Sequence, residues 1–154
     1  TSAIWQCHPQ SRGSIEIINP DPTADPKIQP NYLADELDQK TMIEGIKILR
    51  KIYKQPKFQD LWDAEIIPGK QVRTDAEIID AIRKGGGTVY HPVGTCKMGI
   101  DAAAVVGPDL LVHGVAGLRV VDASIMPLIT SANTNAPTLM IAEKGAEMIL
   151  ASGN

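Results

Sequence analysis

Tyr90-His91-Pro92-Val93-Gly94-Thr95-Cys96-Lys97-Met98-Gly99 sets one histidine in a passage punctuated by proline and glycine. Histidine is the side chain whose ordinary pKa lies nearest neutrality, so it can accept a proton from a substrate hydroxyl and later release it. Pro92 fixes the backbone beside it, and Gly94 permits a tight turn. The plainer alternative is a loop histidine bonded to its own backbone. About forty residues later Asn133-Thr134-Asn135-Ala136-Pro137 opens the last predicted helix. Asparagine there is ordinarily a cap for free N–H groups. The same partial positive charge and unpaired N–H groups can also stabilise an adjacent anion. Asp122 follows a predicted buried strand and precedes two small residues, Ala123 and Ser124. Cofactors of α/β folds lie beyond the carboxyl ends of strands, where small residues allow close backbone approach. Its alternative is a turn aspartate capping its own loop.

Other reactive residues carry less. His8 and His113 read as structural, the latter in a turn at Leu111-Val112-His113-Gly114. No metal site is expected, because beyond His91 and Cys96 no Cys/His pair gives a zinc-like ligand set. Gly85-Gly86-Gly87 follows a predicted helix and lacks both GxGxxG spacing and a Gly-Lys-Ser/Thr ending. It reads as a helix stop. Cys7 and Cys96 lie far apart and resemble no stapled secreted scaffold, so free thiols are preferred.

The elements that must position these residues belong to a globular chain. Its 154 residues are one ordinary domain by length, and 44% hydrophobic composition with mean hydropathy -0.05 excludes a disordered tail. A net charge of -3, with Lys and Arg scattered, argues against nucleic acid or an anionic membrane as partner. No apolar run reaches the roughly 18 residues of a membrane span, and no signal peptide is evident. A cytoplasmic location is favoured. The start at Thr1-Ser2-Ala3, without an initiator methionine, fits a piece of a longer protein.

Alternation predicts a short strand over 13–18, ended by Asn19-Pro20. Pro20, Pro22, Pro26 and Pro30 predict an extended loop over 21–30. Met42, Ile46, Leu49 and Tyr53 give an amphipathic helix over 37–53, and Phe58–Trp62 a short helix after Pro56. Thr74-Asp75-Ala76-Glu77 is a capping box that starts a helix carrying Ile78, Ile79 and Ile82. Thr88-Val89-Tyr90 predicts a strand start, and Leu118–Val121 a buried strand. Pro137 suits a first helical turn, and Thr138–Leu150 predicts a buried terminal helix.

Taken in order, these passages resemble the C-terminal region of the glucose-methanol-choline oxidoreductases. Pro9-Gln10-Ser11-Arg12-Gly13 is similar to that family's Pro-x-Ser-Arg-Gly. The Tyr90–Gly99, Leu118–Pro127 and Asn133–Ala146 stretches resemble its active-site segment, late strand and terminal helix. The resemblance runs over about residues 9–150, and Asn133 with Thr95–Met98 places it nearest the choline dehydrogenase-like branch.

The resemblance implies an FAD-dependent oxidation of a small-molecule alcohol to an aldehyde or ketone. His91 would be the base at the hydroxyl while hydride passes to the flavin N5, and Asn133 would orient the alcohol oxygen. Asp122 and Ala123 would approach the ribityl-pyrophosphate portion of FAD. Asn135, Ala136 and Pro137 would lie against the isoalloxazine. It further implies an α+β fold. Residues 1–100 would form mainly a substrate-binding domain, an antiparallel sheet with helices on one side. Residues 101–154 would supply a terminal strand and helix that complete an FAD domain. The glycine-rich FAD fingerprint is not in this chain, so an N-terminal FAD-binding portion is the expected partner. The rival reading is a non-catalytic substrate- or partner-binding module that keeps the fold without flavin.

Overall fold

The structure is a computed structural model that describes residues 1–153. Two short strands, β1 (Ser14–Glu16) and β2 (Lys27–Gln29), pair in a two-stranded sheet. Four helices follow: α1 (Glu36–Tyr53), α2 (Pro56–Gln59), α3 (Asp75–Gly85) and α4 (Asn135–Ala151). A single 3₁₀ turn covers Ala123–Ile125. The α+β character is borne out, with helices dominant. Strand β2 falls inside the predicted loop, because Lys27–Gln29 are the residues between Pro26 and Pro30 whose N–H groups remain available.

The chain divides into two compact units. The first comprises Thr1–Gly13 and Ile28–Val89, the second Ser14–Lys27 and the residues from Tyr90 onward. In the first unit, α1 packs on α3, with Ile43 and Ile78 buried. Asp35 caps α1 by accepting from Leu37 N–H, and Thr74 with Glu77 forms the expected capping box of α3. Tyr53, Phe58 and Trp62 cluster around the short α2, and Trp62 Nε1–H donates to the Tyr53 carbonyl at 2.9 Å.

Asp38 is buried on the inner side of α1, at 2% exposure. Its carboxylate accepts from Gln10 N–H and Ser11 N–H, both at 2.8 Å, from the Ser11 hydroxyl and from Gln6 Nε2 at 3.0 Å. The Pro9–Gly13 passage is thereby pinned to the first turn of α1, and Asp35 N–H donates to the Ser11 hydroxyl at 3.0 Å.

The second unit is built around Val106, Leu110, Ile125, Met126 and Ile141. Its backbone runs as turns and isolated bridges where strands were expected. Leu118–Val121 makes one bridge, Leu111 to Arg119, with Val112 N–H donating to Leu118 O and Val120 N–H to Leu110 O. Gly114 and Gly117, both at positive φ, turn the chain immediately before it, so no partner runs alongside long enough for a ladder. Thr88-Val89-Tyr90 likewise forms no strand, since Tyr90 has φ 61° where a strand needs negative φ.

Candidate active site

His91 sits in the second unit between two backbone reversals, at Tyr90 (φ 61°) and Gly94 (φ 86°). A bulky residue in the left-handed region costs about 1–3 kcal/mol and persists only where the surroundings determine it, commonly at functional sites. The loop after His91 is anchored by its own backbone. Cys96 N–H donates to Ser124 O at 3.0 Å, and Met98 N–H to Ile125 O at 2.8 Å. The histidine loop is thus laid against the 3₁₀ turn that begins at Ala123. Lys97 closes the far end, its Nζ held by both carboxylate oxygens of Asp101.

That 3₁₀ turn is capped by Asp122, whose Oδ1 accepts from Ser124 N–H at 2.8 Å and from the Ser124 hydroxyl. Asp122 therefore does what the plainer alternative anticipated, and Ala123 and Ser124 follow it half-buried. Three residues earlier Arg119 keeps its Nε buried without a hydrogen-bond partner among the described residues. An unmet buried donor costs about 1–3 kcal/mol.

Helix α4 packs on the same turn. At Gly145 the helix also comes close to the chain before that turn, where a Cβ would lie 2.3 Å from Val121 Cγ1 and 3.3 Å from Leu110 Cδ1. The helix start itself departs from the sequence reading. The N-cap is Thr134, not Asn133 or Asn135, and no side chain caps the helix. The Thr134 hydroxyl instead lies 3.1 Å from His91 Nδ1, in a residue only 8% exposed. Thr138 Oγ1–H bonds back to the Thr134 carbonyl at 2.6 Å. Asn133, Asn135 and Ala136 are exposed, Pro137 is half-buried, and neither asparagine side chain has a partner among the described residues.

All seven sequence-predicted site residues therefore lie in one compact unit, on three segments that touch. The His91 loop meets the 122–125 turn through backbone bonds, and it meets the start of α4 through Thr134. His113 is engaged elsewhere, its Nε2 3.1 Å from Gly99 O. Among the described residues no group of three or more His, Cys, Asp or Glu could hold a metal, and both cysteines are free. Thr134 is the residue that sequence reasoning missed. A threonine opening a helix reads as its cap, and nothing local links it to a histidine 43 positions away.

The open start of α4 fits an anionic or carbonyl-bearing group. Its first N–H groups lack a side-chain acceptor, its flanking residues are small or bear unpaired amides, and a helix N-terminus favours negative charge.

The family model described as GMC oxidoreductase matches residues 9–142. The chain belongs to the GMC oxidoreductase family. It is 54% identical over 150 residues to an "Alcohol dehydrogenase [acceptor]" of Pseudomonas putida, covering 97% of this chain and 27% of that protein. It is 50% identical over 139 residues to an "Oxygen-dependent choline dehydrogenase" of Acinetobacter baumannii (strain AYE), covering 90% and 25%. An "FAD-dependent oxidoreductase from Chaetomium thermophilum" superposes with TM-score 0.88 at 30% identity, over 95% of this chain and 26% of that one. The chain spans about a quarter of the length of the curated relatives it matches.

Proposed function

We propose that this chain forms the substrate side and one flavin-facing wall of an FAD-dependent alcohol oxidoreductase. The observation that carries the reading is His91, fixed through Thr134 to the uncapped start of α4, one residue from Asn133. FAD, when bound, supplies the hydride acceptor. His91 Nε2 takes the proton of the substrate hydroxyl as the carbinol carbon is oxidised, and returns it to solvent afterwards. Asn133, exposed and without a side-chain partner among the described residues, orients the alcohol oxygen by a side-chain hydrogen bond. Asn135, Ala136 and Pro137, at the helix start, would hold the isoalloxazine portion, and the partial positive charge there would stabilise negative charge beside it. Asp122 has one oxygen committed to its own turn, so with Ala123 it would help hold FAD through the backbone and its remaining oxygen.

The substrate is a small alcohol. Residues 1–100 contribute mainly the substrate-binding domain, and residues 101–154 complete an FAD domain whose other part, the N-terminal FAD-binding portion, is the partner this chain requires. Support comes from the family and from the names of its relatives, an alcohol dehydrogenase, a choline dehydrogenase and an FAD-dependent oxidoreductase.

The test is anaerobic mixing of the FAD-loaded enzyme with a panel of primary alcohols, choline among them, following flavin bleaching. Reduction by at least one alcohol, with the matching aldehyde recovered, is the expected result. A loaded enzyme that no alcohol reduces overturns the reading.

A further inference from the structure

Thr134 stands at the N-cap of α4 and yet does not cap it. A threonine there ordinarily accepts from the N–H two or three residues on, worth about 1 kcal/mol to the helix. Here the hydroxyl is turned away from the helix and lies 3.1 Å from His91 Nδ1, and the residue is buried. The helix start has given up a favourable contact, and the histidine has gained one.

We propose that Thr134 is a positioning residue that sets the tautomer of His91. Its hydroxyl oxygen accepts from Nδ1–H, leaving the lone pair on Nε2. The inference rests on the reading of His91 as the base and deepens it.

Neutral imidazole carries one proton, and the nitrogen that holds it decides which nitrogen can act as a base. In water the Nε2–H form of a histidine side chain predominates. A histidine that must accept a proton at Nε2 therefore needs an acceptor at Nδ1, the role that a backbone carbonyl or carboxylate fills at many catalytic and metal-bound histidines. Among the described residues Thr134 is the only side chain hydrogen-bonded to His91, and no carboxylate reaches it.

A hydroxyl suits this place for two reasons. It has two lone pairs, so it accepts from Nδ1–H both before and after Nε2 is protonated, and nothing need reorganise as the proton arrives. It is also neutral. A carboxylate would form an ion pair with the imidazolium and hold the proton, whereas a hydroxyl lets His91 release it for the next turnover. The buried setting of Thr134 keeps its rotamer fixed, and its carbonyl is tied to Thr138, so ring and helix start move together.

The chain has three histidines, His8, His91 and His113, so the ¹⁵N-imidazole spectrum is simple enough to assign with single substitutions. The expected result, for the neutral imidazole, is a His91 pattern with the proton on Nδ1. Thr134→Val shifts it toward Nε2–H, and Thr134→Ser restores the wild-type pattern. An amide spectrum otherwise superimposable on wild type shows that the valine variant is folded. If wild-type His91 already carries its proton on Nε2, or if Thr134→Val leaves the distribution unchanged, the inference is overturned.

In the FAD-loaded enzyme the same valine variant should reduce its flavin at least about 10-fold more slowly at saturating alcohol, with KM little altered and Thr134→Ser close to wild type. A tautomer that moves without any change in that rate supports the positioning of His91 by Thr134 and overturns the assignment of His91 as base.

Discussion

Removing the His91 imidazole should strike the chemical step and not the loading of flavin. A positioned base contributes about 10²–10⁴-fold, whereas a loop histidine of purely structural role would lower stability and leave turnover per folded enzyme intact. His91→Ala, measured by anaerobic flavin reduction at matched FAD content, should fall within that range. Asn133→Ala should cost less, since it removes one oriented hydrogen bond and no proton acceptor. Reduction of the His91→Ala enzyme at the wild-type rate would end the mechanistic assignment. Asp38 makes a second prediction. Burial disfavours its charge, but hydrogen bonds from Ser11, Gln10 and Gln6 outweigh that cost and hold its carboxyl below the ordinary 3.8. Because the folded-state value is the lower one, the stabilisation is complete above about pH 4 to 5 and disappears as pH falls through the native value. Asp38→Asn should therefore lower stability at neutral pH and flatten this acid limb in denaturant melts across pH. An unchanged acid limb would remove Asp38 from the account. His91 was legible in the sequence because proline and glycine mark its turn. Thr134 and Asp38 were not, since each acts on a partner distant in the chain and a helix pattern reads the one as a cap and the other as an ordinary first-turn polar residue.

The helices were the readable elements. Leu37–Tyr53 and Thr74–Gly85 carry apolar spacing and caps within a few residues, so local sequence suffices for them. Leu118–Val121 is apolar enough for a strand, but a strand needs a neighbour running beside it, and glycine turns on its near side leave it one bridge. The terminal helix was placed correctly and its burial was not. Only Ile141 and Gly145 are buried in it, with Met148 half-buried against the same core. The close contact at Gly145 gives an unusual sign to a helix substitution. Gly145→Ala should gain about 1 kcal/mol from helix propensity. The new Cβ, 2.3 Å from a branched valine side chain in a packed core, should lose more than that, about 1–3 kcal/mol. A net fall in thermal midpoint is expected. Gly145→Ala with Val121→Ala should recover part of it. If Gly145→Ala raises the midpoint, α4 does not approach Val121 as closely as Gly145 indicates.

Much apolar surface of this chain lies outside its core. Leu139, Met140 and Leu150 on α4 are 60%, 60% and 83% exposed, and Ile66 and Ile67 in the first unit exceed 80%. Scattered exposed leucines are ordinary on any protein. A terminal helix with apolar residues on more than one face, and a start with no side-chain cap among the described residues, is less so. Arg119 adds a buried donor without a partner among the described residues. Each is a group that further protein or cofactor would satisfy. The flavin itself is the measurable case. A dinucleotide site of this kind grips the pyrophosphate with a glycine turn at a helix start. Among Gly13, Gly45, Gly69, Gly85–Gly87, Gly94, Gly99 and the later glycines no GxGxxG spacing occurs. The 154-residue chain should thus face the isoalloxazine without holding the rest of the molecule. Purified alone, it should be colourless, should not quench added FAD fluorescence at micromolar concentration, and should self-associate through α4. Replacing Leu139 and Leu150 by glutamate should lower that self-association, read by sedimentation, without creating FAD binding. A yellow preparation loaded one to one would show that the chain grips the dinucleotide by itself, and the division of the site between this chain and an N-terminal portion would then be wrong.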